Sequence, residues 1–253
     1  MLINNEKPHV PTLFTGLRGT PDQMQELKKH IVEIARILKG VDFWQTDNLM
    51  TFAKNLSFLD DKRLTDLVFN HANHEYDKAI IWRTHILTWA AQNALGVSGD
   101  FVECGTHLGY SVNVVADYIK LCSTSRLYWC YDLFEGNAYK ELDLDGLEPI
   151  DFVRKKFEGK KFIRLVKGSV HETLKLQSPT QVAFLHLDLN SAPAEEAALR
   201  HFVPLMPKGA IVVLDDYGWS NYKPQKVVAD NYFNTINIPI VELPTGQGLV
   251  IIQ

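Results

Sequence analysis

From residue 100 onward the chain alternates short apolar runs with helical stretches, and this alternation constrains the fold more than any other feature. The runs Phe101–Cys104, Leu127–Tyr131, Phe162–Val166, Val182–Leu187 and Ala210–Leu214 are followed in turn by helical patterns over 109–121, 149–158, 170–176, 193–205 and 222–235. The runs are apolar throughout rather than at every second position, as in strands of a parallel sheet covered on both faces. The end of the chain departs from this rhythm. Ile238–Leu243 and Leu249–Ile252 flank the turn Pro244-Thr245-Gly246-Gln247-Gly248, which predicts a hairpin and hence a last strand antiparallel to its neighbour. The expected class is α/β: a doubly wound, Rossmann-like sheet, mostly parallel, with an antiparallel last strand.

The first hundred residues read differently. Residues 1–19, with Pro8, Pro11 and Gly16, form an irregular arm. Thr20 is the expected N-cap of a helix with Pro21 at its first position and Gln23 at capping-box spacing. Met24, Leu27, Ile31, Ile34 and Leu38 give it one apolar stripe, favouring packing within the subunit, and Gly40 ends it. Further helical patterns run over 47–59, 60–72 and 76–95, the last ending at Gly96. The expected organisation is a helical N-terminal extension over 1–82, which would be the surface for any homo-oligomer, and a sheet domain over 83–253.

A chain of 253 residues, 46% hydrophobic and 22% charged, can bury a core without disulfides or structural metal. The formal net charge of -4 argues against a general nucleic-acid or membrane-surface binder. Cys104, Cys122 and Cys130 are odd in number and form no C-x-x-C pair. They read as small buried hydrophobes in a reduced, cytoplasmic setting. Neither an apolar membrane span nor a signal peptide at Met1-Leu2-Ile3-Asn4-Asn5-Glu6 is recognisable.

In a doubly wound sheet, ligands bind beyond the carboxyl ends of the strands. The first such end is Phe101-Val102-Glu103-Cys104-Gly105-Thr106-His107-Leu108-Gly109. Gly105 and Gly109 permit a tight turn and close backbone approach. A carboxylate at Glu103 would repel a pyrophosphate but suits a cofactor carrying an ammonium and a sulfonium. The second strand ends at Asp132, placed to accept hydrogen bonds from the ribose hydroxyls of an adenosine cofactor. Gly168 and Ser169 after the third strand would lie beside the adenine, although an N-cap at Ser169 explains them equally well. Asp188 follows the fourth strand, and Asp215-Asp216 the fifth. If the two strands are neighbours these acids converge, and an all-oxygen set is what Mg²⁺ prefers. Tyr217, Trp219 and Tyr222 would form an aromatic platform for a sugar or pack beneath a helix. The acidic stretch Glu141-Leu142-Asp143-Leu144-Asp145-Gly146 reads as a solvated loop.

Gly99-Asp100-Phe101-Val102-Glu103-Cys104-Gly105, Phe184–Asn190, Leu214-Asp215-Asp216-Tyr217-Gly218 and Leu243-Pro244-Thr245-Gly246-Gln247-Gly248-Leu249 together resemble the macrocin O-methyltransferase-like group (TylF/MycF/NovP type) of class I S-adenosylmethionine-dependent methyltransferases, over roughly residues 83–253. The resemblance implies methyl transfer from S-adenosylmethionine to a hydroxyl of a sugar, glycan or related small molecule. It also implies Mg²⁺ held by Asp188, Asp215 and Asp216. Glu103, Gly105, Thr106, Gly109, Asp132, Gly168 and Ser169 are then the expected cofactor residues, and Asp188, Asn190 and Asp216 the expected catalytic ones. The family places an aspartate base where Asn190 stands, and an amide cannot take a proton near neutral pH. Metal-assisted ionisation into solvent, or His107, His171 or His186, are the alternatives, His186 being the one best read as a core residue. Two rivals stand beside this reading. One is a cofactor-binding protein of the same fold with altered catalysis. The other is a short-chain dehydrogenase, suggested by Tyr222-Lys223-Pro224-Gln225-Lys226 but opposed by Glu103 and by Ser111 in place of a third glycine.

Overall fold

The structure is a computed structural model that describes residues 10–11, 19–39, 41–140 and 142–253. Pro8, Gly16, Gly40 and Glu141, named above, lie outside the described residues. The chain divides into two compact units, Met1–Trp82 and Arg83–Gln253.

In the first unit, α1 (Pro21–Ile37) begins as expected. The Thr20 hydroxyl accepts from Gln23 N–H, and the Gln23 side chain accepts from Thr20 N–H at 2.8 Å. Ile31 of the apolar stripe packs with Ala35 and Phe43, with Leu27 and Ile34 against them. The helix expected over 47–59 does not form. Phe43–Thr46 (β1) and Leu49–Phe52 (β2) pair antiparallel instead. Asp47 and Asn48 both take positive φ, 48° and 58°, as a two-residue type I′ turn needs. The aromatic and β-branched residues on either side of that turn favour strand over helix. A helix, α2 (Lys62–His71), does follow, capped by the Asp61 side chain accepting from Leu64 N–H at 3.1 Å. The pattern over 76–95 becomes two helices, α3 (Glu75–Ala79) and α4 (Ile81–Ala94).

The second unit, with most of α4 at its start, carries a seven-stranded sheet. Its elements alternate along the chain as β3 (Asp100–Cys104), α5 (Tyr110–Tyr118), β4 (Tyr128–Asp132), α6 (Pro149–Lys156), β5 (Ile163–Lys167) and α7 (Val170–Leu176). They continue as β6 (Val182–Leu187), α8 (Ala192–Phe202), β7 (Ile211–Leu214), α9 (Lys223–Thr235), β8 (Val241–Glu242) and β9 (Gly248–Ile251). The sheet order is β5-β4-β3-β6-β7-β9-β8, with β9 antiparallel to both neighbours and the other pairs parallel. Of the run Ile238–Leu243, only Val241 and Glu242 pair. Pro239 has no N–H to give a ladder, which keeps the segment short and at the edge.

Strand faces alternate between two cores. Val102, Leu185, Leu187, Val212 and Leu214 pack with residues of α7, α8 and α9. Phe101, Tyr128, Phe184, Ile211 and Val213 pack with residues of α4, α5 and α6. The chain winds from β3 outward to β5, then returns to β6 on the other side of β3. The crevice beyond the carboxyl ends of β3 and β6 is therefore the switch point where such sheets bind ligands. Among the described residues, no helix is long and apolar enough to cross a membrane.

Candidate active site

Parallel pairing brings the three aspartates together. Leu187 of β6 sits opposite Leu214 of β7, so Asp188 and Asp215 leave the sheet side by side. Backbone bonds hold both, from Asp188 N–H to Cys104 O at 2.8 Å and from Asp215 N–H to Leu187 O at 2.9 Å. Asp188, Asp215 and Asp216 each offer an oxygen, and these atoms all lie within 4.8 Å of one another. Burial, then the charge of Asp215, pushes the Asp216 carboxyl up to about 7. Asp188 is pushed well above the carboxylate range by burial and by its two acidic neighbours. Asp215 behaves oppositely. Burial opposes its charge, but Arg83, His186 and Gln247 outweigh burial and hold it below the usual range. Arg83 Nη1 donates to Asp215 Oδ2 at 2.8 Å, and Gln247 Nε2 donates to Oδ1 at 2.9 Å.

The donor set fits a hard cation. Asp216 Oδ2 is buried with no hydrogen-bond partner, a costly state for a carboxylate unless a cation or proton completes it. Asp215 keeps lone pairs beyond those used by Arg83 and Gln247, because an ionised carboxylate has about four acceptor sites.

Behind the rim lies a buried polar chain. Glu103 and His186 occupy the same register on adjacent strands. His186 Nδ1 lies 2.8 Å from Glu103 Oε2, and Ser111 Oγ donates to Glu103 Oε1 at 2.7 Å. His186 Nε2 lies 3.7 Å from Asp215 Oδ1. Burial opposes charge on His186, but the two flanking carboxylates raise its pKa to about 10. His186 is thus a core residue, though one wired between two acids. Glu103, an expected cofactor residue, lies here inside the protein. It is fully buried, and both of its oxygens are already bonded within the protein. Thr106 is buried as well, with its hydroxyl directed to Tyr131 O at 3.5 Å, so it supports the turn from inside.

The remaining residues of the expected cofactor side gather beyond β3, β4 and β5. Gly105 has φ 95°, and a Cβ there would lie 1.8 Å from the Asp188 carbonyl oxygen. The glycine turn and the first acid of the rim therefore touch through backbone. Asp132 Oδ2 accepts from His107 N–H at 2.7 Å, while Oδ1 accepts from Phe134 N–H at 2.8 Å and Tyr139 OH at 3.0 Å. Gly109, with φ 72°, opens α5. Gly168 N–H donates to Asp132 O at 2.9 Å, which places Gly168 and Ser169 at the same edge. Ser169 stands at the N-cap of α7 without a side-chain capping bond.

Other expectations resolve individually. Tyr217 is packing: it is buried, its hydroxyl donates to Asp230, and Lys226 lies 3.6 Å over its ring. Trp219 stacks on the Arg83 guanidinium at 4.5 Å. Tyr222 is half-buried, its hydroxyl pKa raised by burial and by the charges of Asp216 and Asp188. Asn190 is exposed in a left-handed conformation, φ 50°. His171 is exposed on α7, and His107 stacks on Tyr139 at 5.1 Å. The Cys104 and Cys130 thiols are buried and pushed well up by burial, as small hydrophobes would be, whereas Cys122 is exposed, against expectation. Sequence reading missed Arg83, Gln247 and Glu195. Glu195 on α8 is buried and pushed up to about 8, by burial and then by Asp188. Arg83 had a signal, as the one charged residue in the stretch Ala79–Ala94.

The O-methyltransferase NovP superposes with a TM-score of 0.57 at 19% identity, over 68% of this chain and 80% of that one. CalS11, a calicheamicin methyltransferase, gives 0.58 at 16% identity, over 93% and 94%. The S-adenosylhomocysteine-bound methyltransferase PaMTH1 of Podospora anserina gives 0.54 at 12% identity, over 95% and 100%. This is the class I methyltransferase fold. Residues 102–217 of the methyltransferase sheet also match the model of a family described as Methyltransferase domain. No curated protein sequence matches the chain.

Proposed function

We propose that the chain is an S-adenosylmethionine-dependent O-methyltransferase that uses magnesium and methylates a hydroxyl of a sugar, a glycan or a related small molecule. The carrying observation is the three-aspartate rim, with its buried and unpartnered Asp216 oxygen, in backbone contact with the glycine turn of a methyltransferase fold. The macrocin-like motifs support the acceptor class, and so does CalS11, a TDP-rhamnose 3′-O-methyltransferase.

S-adenosylmethionine supplies an electrophilic methyl group, and magnesium, when bound, supplies Lewis acidity toward an acceptor hydroxyl. Asp188, Asp215 and Asp216 would hold the ion, with Arg83 offsetting part of their charge. Asp132 orients the cofactor ribose. Asn190, which cannot take a proton, orients the acceptor, and the proton leaves to solvent. Rate enhancement then rests mainly on positioning and on the fixed field of the rim.

Titration calorimetry tests the cofactor: micromolar binding of S-adenosylhomocysteine without binding of NADH is expected, and the reverse result ends the proposal. Asp215→Ala should abolish magnesium dependence and most activity while S-adenosylhomocysteine still binds. Activity that survives EDTA unchanged removes the metal from the mechanism.

A further inference from the structure

The turn between β8 and β9 has no part in that mechanism beyond closing a hairpin, yet its side chains reach the rim. Gln247 is fully buried, and its Nε2 donates to Asp215 Oδ1 at 2.9 Å. Its Oε1 accepts from the hydroxyl of buried Thr245 at 3.0 Å. An ionised carboxylate can only accept, so the amide nitrogen must face Asp215 and the Thr245 hydroxyl must be the donor on the other side. The backbone of the turn is clamped to the segment that carries Asp215. Gly218 N–H donates to Gly246 O at 2.7 Å, while Leu243 N–H donates to Gln247 O at 2.8 Å within the turn itself. The clamp leaves no room for side chains at its two glycines. A Cβ at Gly246 would lie 2.2 Å from Trp219 Nε1, and one at Gly248 would lie 2.7 Å from the Tyr217 ring.

We infer that Thr245 and Gln247 are positioning residues for Asp215, a two-step hydrogen-bond relay that fixes the rotation of this carboxylate toward Asp188 and Asp216. The residue types suit the task. An amide anchors the carboxylate without cancelling its charge, which Arg83 already offsets from the Oδ2 side. Glutamate at 247 would repel Asp215, and lysine would compete with a cation for it. Groups that orient a ligand from behind typically change metal affinity when removed. The inference rests on the rim being a metal site.

The test measures Mn²⁺ affinity by electron paramagnetic resonance and S-adenosylhomocysteine affinity by calorimetry, on the full chain. Gln247→Leu should weaken Mn²⁺ binding roughly 10–100-fold while cofactor-product affinity stays at the wild-type value. Thr245→Val should weaken Mn²⁺ binding in the same direction but less, and Thr245→Ser, which keeps the hydroxyl, should restore it. This second pair decides the matter if Gln247→Leu fails to fold. Wild-type Mn²⁺ affinity in Gln247→Leu or in a folded Thr245→Val overturns the inference and leaves the metal reading standing. Parallel loss of both affinities in Thr245→Val means the turn merely supports the fold, and also overturns it. A wild-type protein that binds no Mn²⁺ overturns both the inference and the metal reading.

Discussion

Asp132 accepts three hydrogen bonds, two from backbone amides fixed by the fold and one from the Tyr139 hydroxyl. A carboxylate has about four acceptor sites, so two ribose hydroxyls cannot be added without losing a donor. The tyrosine is the replaceable one. Tyr139→Phe, which keeps the ring on His107, should therefore tighten S-adenosylhomocysteine binding by about 0.5–1.5 kcal/mol, whereas Asp132→Ala should weaken it by about 1–3 kcal/mol. Calorimetry on the two variants checks both signs, and weaker binding by Tyr139→Phe would make its hydroxyl a cofactor ligand instead. Asp132 and the three rim acids were legible as acids in the sequence because each lies within two residues of the end of an apolar strand run. Their partners were not. Arg83 and Asp215 are separated by 132 positions, and only the sheet order brings α4 and the end of β7 to one place. Glu103 was legible as an acid, but its bonds to Ser111 and His186 were not, because they depend on a register between distant strands.

At the scale of elements, the sheet was readable because buried parallel strands are short, wholly apolar and separated by helices. The hairpin Phe43–Phe52 was not, because Leu49, Phe52, Ala53 and Leu56 also recur at helical spacing and only the turn chemistry decides. Asn48 carries that decision at φ 58°. Asn48→Val should cost about 1–2 kcal/mol, the strain of a left-handed conformation for an ordinary L residue. Asn48→Gly should not, since glycine takes this conformation freely. Urea denaturation of the two variants separates backbone strain from loss of the Asn48 side chain, which would destabilise both alike.

For the whole molecule, the buried acids set a pH dependence. Glu195 is pushed from 4.5 up to about 8 and Asp216 from 3.8 up to about 7, in each case by burial first and then by a neighbouring aspartate. Each binds its proton more tightly folded than unfolded, so its contribution is present below the unfolded pKa and is lost as pH rises through the folded one. His186, raised from 6.5 to about 10, adds a loss of the same sign at higher pH. Urea midpoints in EDTA should therefore fall between about pH 5 and about pH 8, and Glu195→Gln should flatten part of that fall. A wild-type midpoint that climbs across this window contradicts the assignment. Gly105 meets the Asp188 carbonyl main chain to main chain, so any side chain added at 105 would have to push the glycine turn and the first acid of the rim apart. The spacing of turn and rim is therefore inherited as a unit, whatever varies around it.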